Sequence, residues 1–444
     1  MARIYPFRAL RYDPAQAGAP LENLLTQPYD KITPAMQERY LSLGPHNLIH
    51  LEKGKPKAGD NGENVYTRAA AWLEQTLAAG ALRQDAQPAI YPYFQEYTVP
   101  GTKERKVRKG FIALGRIEDY AAGVVHRHEH TLAGPKIDRL ALLRHTRAHT
   151  GQLFMIYSDP AGAVDKLLEE TARSQPAQSL TDEYGDAHKL WMVSEAARVE
   201  RFQKLMAEQK LIIADGHHRY ETAMAYRDEC RQKARRTDPE APHEKVMMTF
   251  VHIEQPGVTI LPTHRVVSNL AEFNFAAFRE KASEFFDWYA YPRSEEKGGP
   301  ARLLRDLAER GAERTSFGVC AAGEPAFYLF LLKVNADRAH LLPQASARQR
   351  TLDLVVLHQL LLGRCLGLTE ESVKKEQNLR YLRDAREAVE LVDTRDAELA
   401  FLVNPVRVEQ VRELALNGEV LPQKSTDFYP KMLSGITIYS LDRP

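Results

Sequence analysis

"KLIIADGHHRYETAMAYRDE", residues 210–229, sets a short apolar run directly before Asp-Gly-His-His-Arg and a helix-like continuation. Leu211 to Ala214 has the unbroken apolar character of a buried strand, Gly216 allows a tight turn, and the spacing predicts a helix from about His218 to Ala234. The strand-like "KVMMTFVHI" (245–253) comes next. Strand, helix and strand in that order predict a right-handed βαβ crossover, and with it an α/β fold mixed with α+β segments.

The neighbouring sequence supplies further elements. In "DKITPAMQERYLSLGPHNLIHLEKG" (30–54), Thr33 and Pro34 predict a capped helix that stops at Gly44, followed by a short strand over 48–52. A second helix is predicted over 64–79, with Gly80 as its stop. "AIYPYFQEYTV" and "KVRKGFIALGRI", joined by "PGTKER", read as a β-hairpin. "GQLFMIYSDP" (151–160) reads as a strand, and 195–209 as a helix. Towards the C-terminus, "NLAEFNFAAFREKASEFF", "PARLLRDLAERG" and "LDLVVLHQLLLGRCLGL" are helical in pattern, and "RTSFGVC", "AFYLFLLKV" and "AELAFLVNPV" are strand-like. A length of 444 residues suggests two or three domains. We expect a division near residue 270, with domains at 1–270 and 271–444.

Composition narrows the function classes. With 44% hydrophobic and 27% charged residues the chain is globular in character. The 60 basic and 59 acidic residues balance, which speaks against a nucleic-acid binder. Cys230, Cys320 and Cys365 form no CxxC pair and fit a reducing compartment. The first residues lack the order of a signal peptide, and no long apolar run occurs. These features predict a cytoplasmic protein with a small-molecule substrate and no membrane partner; oligomeric state is not legible.

Four segments carry chemistry. In "ADGHHR", Gly216, His217, His218 and Arg219 open a helix whose free N–H groups and positive end suit an anion, with the Arg219 guanidinium able to grip phosphate. An ordinary strand–turn–helix corner with Asp215 as cap fits the same residues. In "HRHEHT", an extended chain sets His126, His128 and His130 on one face, a spacing that suits a transition metal, although a solvated loop explains it too. Glu129, Lys136, Asp138 and Arg139 follow as acid, base or phosphate ligands, or as surface ion pairs. "LPTHRVV" puts His264 and Arg265 inside an apolar run, where a satisfied interior pair is the plain alternative. "KSTDFYPK" brings Lys424, Ser425, Thr426, Tyr429 and Lys431 to a turn near the C-terminus. No GxxxxGK[ST] loop, GxGxxG turn or GxSxG elbow is present.

Together, "PFRALRYDP", "QPYDKIT", "HEHTLAGPKIDRLALL", "ADGHHRYETA", "ILPTHRVV" and "LPQKSTDFYPK" resemble, in this order, the bacterial and archaeal family DUF1015, which carries no established activity. The unit "LIIADGHHRYETA" also resembles the phosphate-binding strand–turn–helix of the ParB/sulfiredoxin-like fold, whose free serine kinases carry Asp-Gly-His-Thr-Arg there; here His218 replaces the threonine. The resemblance implies a ParB/sulfiredoxin-like core and phosphoryl transfer, kinase-like or phosphatase-like, on serine, phosphoserine or a similar hydroxylated metabolite. It implies ATP or ADP with Mg2+ as cofactor. On this reading Glu129, Asp215, His217 and His218 are catalytic, and Gly216, Arg219, Arg139, His264, Arg265, Lys424, Ser425, Thr426 and Lys431 hold phosphate or nucleotide. His128, Lys136 and Asp138 then touch substrate. Two other readings stay open: a metal-dependent hydrolase built on His128, His130, His217 and His264, and a ParB-like nucleotide-binding switch.

Overall fold

Tyr91 to Thr98 and Arg105 to Arg116 form the expected antiparallel hairpin, with Tyr93 opposite Gly110. It belongs to one of two contact units in a computed structural model that describes residues 2–60, 64–129, 133–234, 238–296 and 299–443; the side chains of 133–135 also stand outside this description. Unit 1 holds Met1–Arg127, Thr131–Thr259 and Phe428–Pro444, and unit 2 holds His128–His130 and Ile260–Asp427. Where a division near residue 270 is expected, the units part between Thr259 and Ile260, and the last segment belongs to unit 1.

Unit 1 is organised by a nine-stranded sheet. Its strands are β1 (Ile4–Tyr5), β2 (Tyr91–Thr98), β3 (Arg105–Arg116), β4 (Val125–His126), β5 (Leu153–Tyr157), β6 (Gln178–Thr181), β7 (Ala187–Leu190), β8 (Leu211–Asp215) and β9 (Lys245–His252). The spatial order is β4-β8-β5-β9-β3-β2-β7-β6, with β1 added on β3. Strand residues such as Met155, Ile213, Met248 and Phe111 share one core with Leu167, Phe202, Tyr220 and Ala223 of the helices Ala163–Ala172, Ala196–Met206 and His217–Ala234. The C-terminal segment meets other strand residues: the Phe428 ring packs 5.4 Å from that of Phe154, and Thr437 Oγ1 lies 3.2 Å from Met247 Sδ.

Two expectations fail here. β8 is antiparallel to β5 while β9 is parallel to it, so β8 and β9 run in opposite directions with β5 between them. The helix between them therefore makes no parallel βαβ crossover, because apolar period identifies an element and not its pairing partner. The strand expected over 48–52 is a helical turn, Ile49–Glu52. Asn47 turns the chain into it, its side chain accepting from Ile49 N–H at 2.9 Å. The helix capped by Thr33 forms over Pro34–Ser42, and Asn64 caps Val65–Ala78.

Unit 2 carries a six-stranded sheet. In chain order its strands are β10 (His264–Val267), β11 (Phe286–Pro292), β12 (Ser316–Ala321), β13 (Ala326–Leu332), β14 (Leu379–Leu382) and β15 (Leu399–Leu402), arranged β11-β13-β12-β15-β10-β14. One core joins Val266, Cys320, Leu329 and Ala400 to Leu303 and Leu307 of the helix Ala301–Gly311 and to Val392 of Ala385–Asp393. The helix expected in "LDLVVLHQLLLGRCLGL" begins as Asp353–Val356 and widens into a π-helix over Leu357–Cys365. The three cysteines are free thiols, and burial pushes Cys320 up to about 12 and Cys365 up to about 11. No helix among the described residues is long and apolar enough to cross a membrane.

Two measurements test this packing. A Cβ on Gly110 would lie 2.6 Å from Phe250 O and 2.8 Å from Val251 Cγ2. Gly110→Ala should therefore destabilise the protein by about 1–3 kcal/mol, read from urea denaturation. At the end of β9, His252 Nδ1 lies 2.9 Å from Asp165 and Nε2 lies 2.8 Å from Glu254. Burial alone would lower its pKa, but the bond to Asp165 and the charges of Asp165, Glu254 and Asp159 raise it. Its stabilising share is thus full below the ordinary histidine value of about 6.5 and lost as pH rises through the raised value. The stability gap between the native protein and His252→Gln should narrow as pH is raised from about 6 towards 8.5.

Candidate functional site

The end of β8 is shaped by a register shift against β5 between Ile213 and Asp215. Such a bulge re-aims the last strand residue. Gly216 follows with φ +96°, and a Cβ there would lie 3.0 Å from Leu153 Cδ2 and 3.1 Å from Arg219 Nε. Only glycine takes this corner without strain. The helix then starts at His217 and runs for 18 residues, its first bond being Tyr220 N–H to Gly216 O at 3.0 Å. Its opening N–H groups and positive end face the turn.

Three cations surround Asp215. Lys431 Nζ lies 3.1 Å from its Oδ2 and Arg219 Nη2 lies 3.8 Å from its Oδ1. Burial would raise the carboxyl pKa, but Lys431, Arg219 and Lys31 reverse this and hold it well below the usual carboxylate range. Arg219 is aimed by a bond from Nη1 to Gln152 O. Gln152 is fixed in turn, accepting from Thr249 Oγ1 at 2.8 Å and donating to Leu433 O at 3.3 Å. Lys431 is set by its backbone: Gln95 Nε2 donates to Lys431 O at 2.8 Å, and Arg108 donates to the carbonyls of Tyr429, at 3.2 Å, and Pro430.

Beside the cradle a small cavity of about 50 Å³ is lined by Tyr29, Glu52, Arg139, Thr150 and Arg219, among others. Glu52 is buried and accepts from Thr150 Oγ1 and from Ser434 Oγ, the latter at 3.3 Å. Arg139 donates to Glu52 O at 2.9 Å and stacks 4.3 Å over the Tyr29 ring. Burial pushes the Tyr29 hydroxyl up to about 12. Gly151 lets these groups converge, since a Cβ there would lie 3.2 Å from both Arg219 Nη1 and Ser434 Oγ. Of the other expected residues in unit 1, Lys136 pairs with Glu221, and Asp138 accepts from Tyr66 at 2.9 Å and from Arg139 Nε at 2.8 Å.

The second group of expected residues lies in unit 2. His128 is buried, with Nε2 at 2.8 Å from Thr426 Oγ1. Glu129 accepts from Lys424 N–H at 2.9 Å, and Arg265 Nη2 donates to Lys424 O at 3.1 Å. Lys424, at φ +56°, is thus held in a left-handed conformation from both sides. Ser425 Oγ donates to Pro422 O at 2.5 Å. Arg265 is fully buried, and burial brings its pKa down to about 10. Burial and the Arg265 charge push His264 down to about 4. His264 Nδ1 accepts from Val403 N–H at 3.2 Å, which leaves the ring proton on Nε2.

For the histidine metal site, His128 and His264 fall in unit 2, His217 falls in unit 1, and His130 lies outside the described residues. Among the described residues no three histidine, cysteine, aspartate or glutamate side chains group to hold a metal ion. Sequence reasoning missed Lys31, Tyr29, Glu52 and Gln152. "QPYDK" held a signal in its charged residue beside a Pro-Tyr turn; Glu52 held none, because its helical turn reads as a strand.

No curated protein matches the chain. Among solved structures, it is similar to a conserved hypothetical protein from Pyrococcus furiosus, with TM-score 0.34 and 10% identity over 72% of this chain and 93% of that one. It is similar to a free serine kinase variant in complex with ADP, with TM-score 0.35 and 13% identity over 75% and 90%. A third is SbnI with C-terminal truncation from Staphylococcus aureus, with TM-score 0.35 and 11% identity over 73% and 85%. The model of one family, described as a protein of unknown function (DUF1015), matches residues 4–355. That span contains the bulged end of β8, Gly216 and Arg219 as well as His264 and Arg265, and the chain belongs to the DUF1015 family.

Proposed function

We propose that unit 1 catalyses phosphoryl transfer on a small hydroxylated metabolite, serine or phosphoserine being the leading candidates, with phosphate held at residues 216–219. The observation that carries the reading is a single carboxylate, Asp215, set among Lys431, Arg219 and Lys31 at the start of an 18-residue helix. Positive side chains gathered on one carboxylate at the opening of a helix make a setting that suits an incoming phosphate. Phosphoryl transfer needs positioning and charge stabilisation more than a covalent nucleophile, and such a cradle supplies both.

Within this reading Gly216 lets the backbone approach the phosphate, Arg219 grips its oxygens, and His217 and His218 stand at the helix start to meet the transferred group. Asp215, held ionised well below the usual carboxylate range, serves to orient the cations around it and not to accept a proton. Mg2+ carried on ATP or ADP would neutralise phosphate charge. The motif resemblance of "ADGHHR" to the free serine kinase pattern points to the same chemistry. A hydrolase acting on phosphoserine uses the same phosphate ligands and differs only in its acceptor, water instead of a hydroxyl.

The experiment is to incubate purified protein with Mg2+, ATP and serine, and separately with phosphoserine, following phosphoserine, ADP and free phosphate by mass spectrometry. Formation of phosphoserine assigns the kinase, and phosphate release from phosphoserine assigns the hydrolase. Neither product, with no nucleotide bound in equilibrium dialysis, overturns the proposal. In an active preparation Arg219→Ala should lower kcat/KM by about 10²- to 10³-fold, the scale for removing one preorganised charge-stabilising donor. Arg219→Lys keeps the charge but loses the planar fork, and should recover only part of the rate.

A further inference from the structure

Unit 2 holds a cleft of about 440 Å³ lined in part by Arg314, Arg338, Arg350, Arg407, Thr315 and Asp353. That volume falls within the range of about 300–1,000 Å³ that small-molecule sites occupy. Its cations are unevenly neutralised. Arg314 pairs with Asp287, whereas Arg338, Arg350 and Arg407 form no ion pair among the described residues. Arg338 is oriented by bonds to Arg350 O at 2.8 Å and Thr315 Oγ1 at 3.0 Å, and Arg350 by its Nε bond to Leu342 O at 3.1 Å. Each guanidinium has five N–H donors, so both keep donors unused. The Arg407 side chain makes no hydrogen bond or ion pair among the described residues, and it is exposed.

Two carboxyl groups also line the cleft. Glu313 is exposed, and Asp353 accepts from Thr315 Oγ1 at 2.7 Å. Burial raises Asp353 to about 6 despite Arg338 and Arg407 nearby. None of the lining residues is aromatic. A nucleobase or a single-stranded nucleic acid has nothing there to stack on.

We propose that this cleft binds a small phosphorylated metabolite with at least two negative charges, gripped by Arg338, Arg350 and Arg407. Pre-oriented guanidinium forks match phosphate oxygens in pairs, and a cleft without rings selects a compact polyanion over a nucleotide. The site shares no residue with the Asp215 corner, so it stands whether or not that corner transfers phosphate.

Inorganic pyrophosphate is the probe. Added to the full chain, it should slow hydrogen exchange in peptides covering residues 338–353 and 404–410, and should do so equally in Arg219→Ala, where the cradle is weakened. Calorimetry on the Arg219→Ala protein should show saturable binding, and adding Arg407→Glu should weaken it at least tenfold. Arg407 is exposed, so unchanged thermal unfolding would confirm that this variant folds. Unchanged exchange in both segments, or undiminished affinity in the Arg407→Glu protein, overturns the proposal. So does retention of a single-stranded oligonucleotide by a protein that ignores pyrophosphate.

Discussion

The guanidinium of Arg108 is buried within unit 1, and the corner around Asp215 depends on where it points. It donates to Gln95 Oε1 and to the carbonyls of Tyr429 and Pro430, and it lies 4.6 Å over the Phe154 ring. Burial pulls its pKa down to about 10. A charge placed so deep is tolerated because its donors meet a glutamine side chain and two backbone carbonyls. The result is a hairpin strand that fastens a segment more than 300 residues further along the chain. The residue delivered by that fastening is Lys431, whose Nζ lies 3.1 Å from Asp215.

The corner around Asp215 sets one carboxylate among Lys431, Arg219 and Lys31, whose charges hold it ionised despite burial. Its geometry comes from backbone devices, a bulge, a left-handed glycine and a second glycine at position 151, so the side chains are aimed by the chain itself. In unit 2 a different logic operates: Lys424 is held between Glu129, which accepts from its N–H, and Arg265, which donates to its carbonyl.

Most element types were legible because apolar period and caps report local physics. Thr33, Asn64 and the Pro100-Gly101 turn marked their elements correctly. Pairing was not legible: nothing in "LIIAD" or "KVMMTFVHI" says that β5 separates them. The turn at Gly216 was legible as a strand–turn–helix corner because apolar run, glycine and helix start are neighbours in sequence. Lys31, Glu52 and Gln152 were not, because their approach to Arg219 and Asp215 arises from long-range packing, and a buried glutamate in a four-residue helical turn has no local signature. The arginines of the unit 2 cleft escaped for the same reason, spread as they are from Arg314 to Arg407.

Unit 1 receives its Phe428–Pro444 segment after the whole of Ile260–Asp427. During synthesis the sheet strands up to β9 emerge first, then Ile260–Asp427, and only then Lys431. Until that moment Asp215 lacks the counter-charge of Lys431, and Arg108 lacks the carbonyls of Tyr429 and Pro430. A ribosome-bound chain therefore carries Asp215 with an incomplete set of counter-charges until residue 431 has been made.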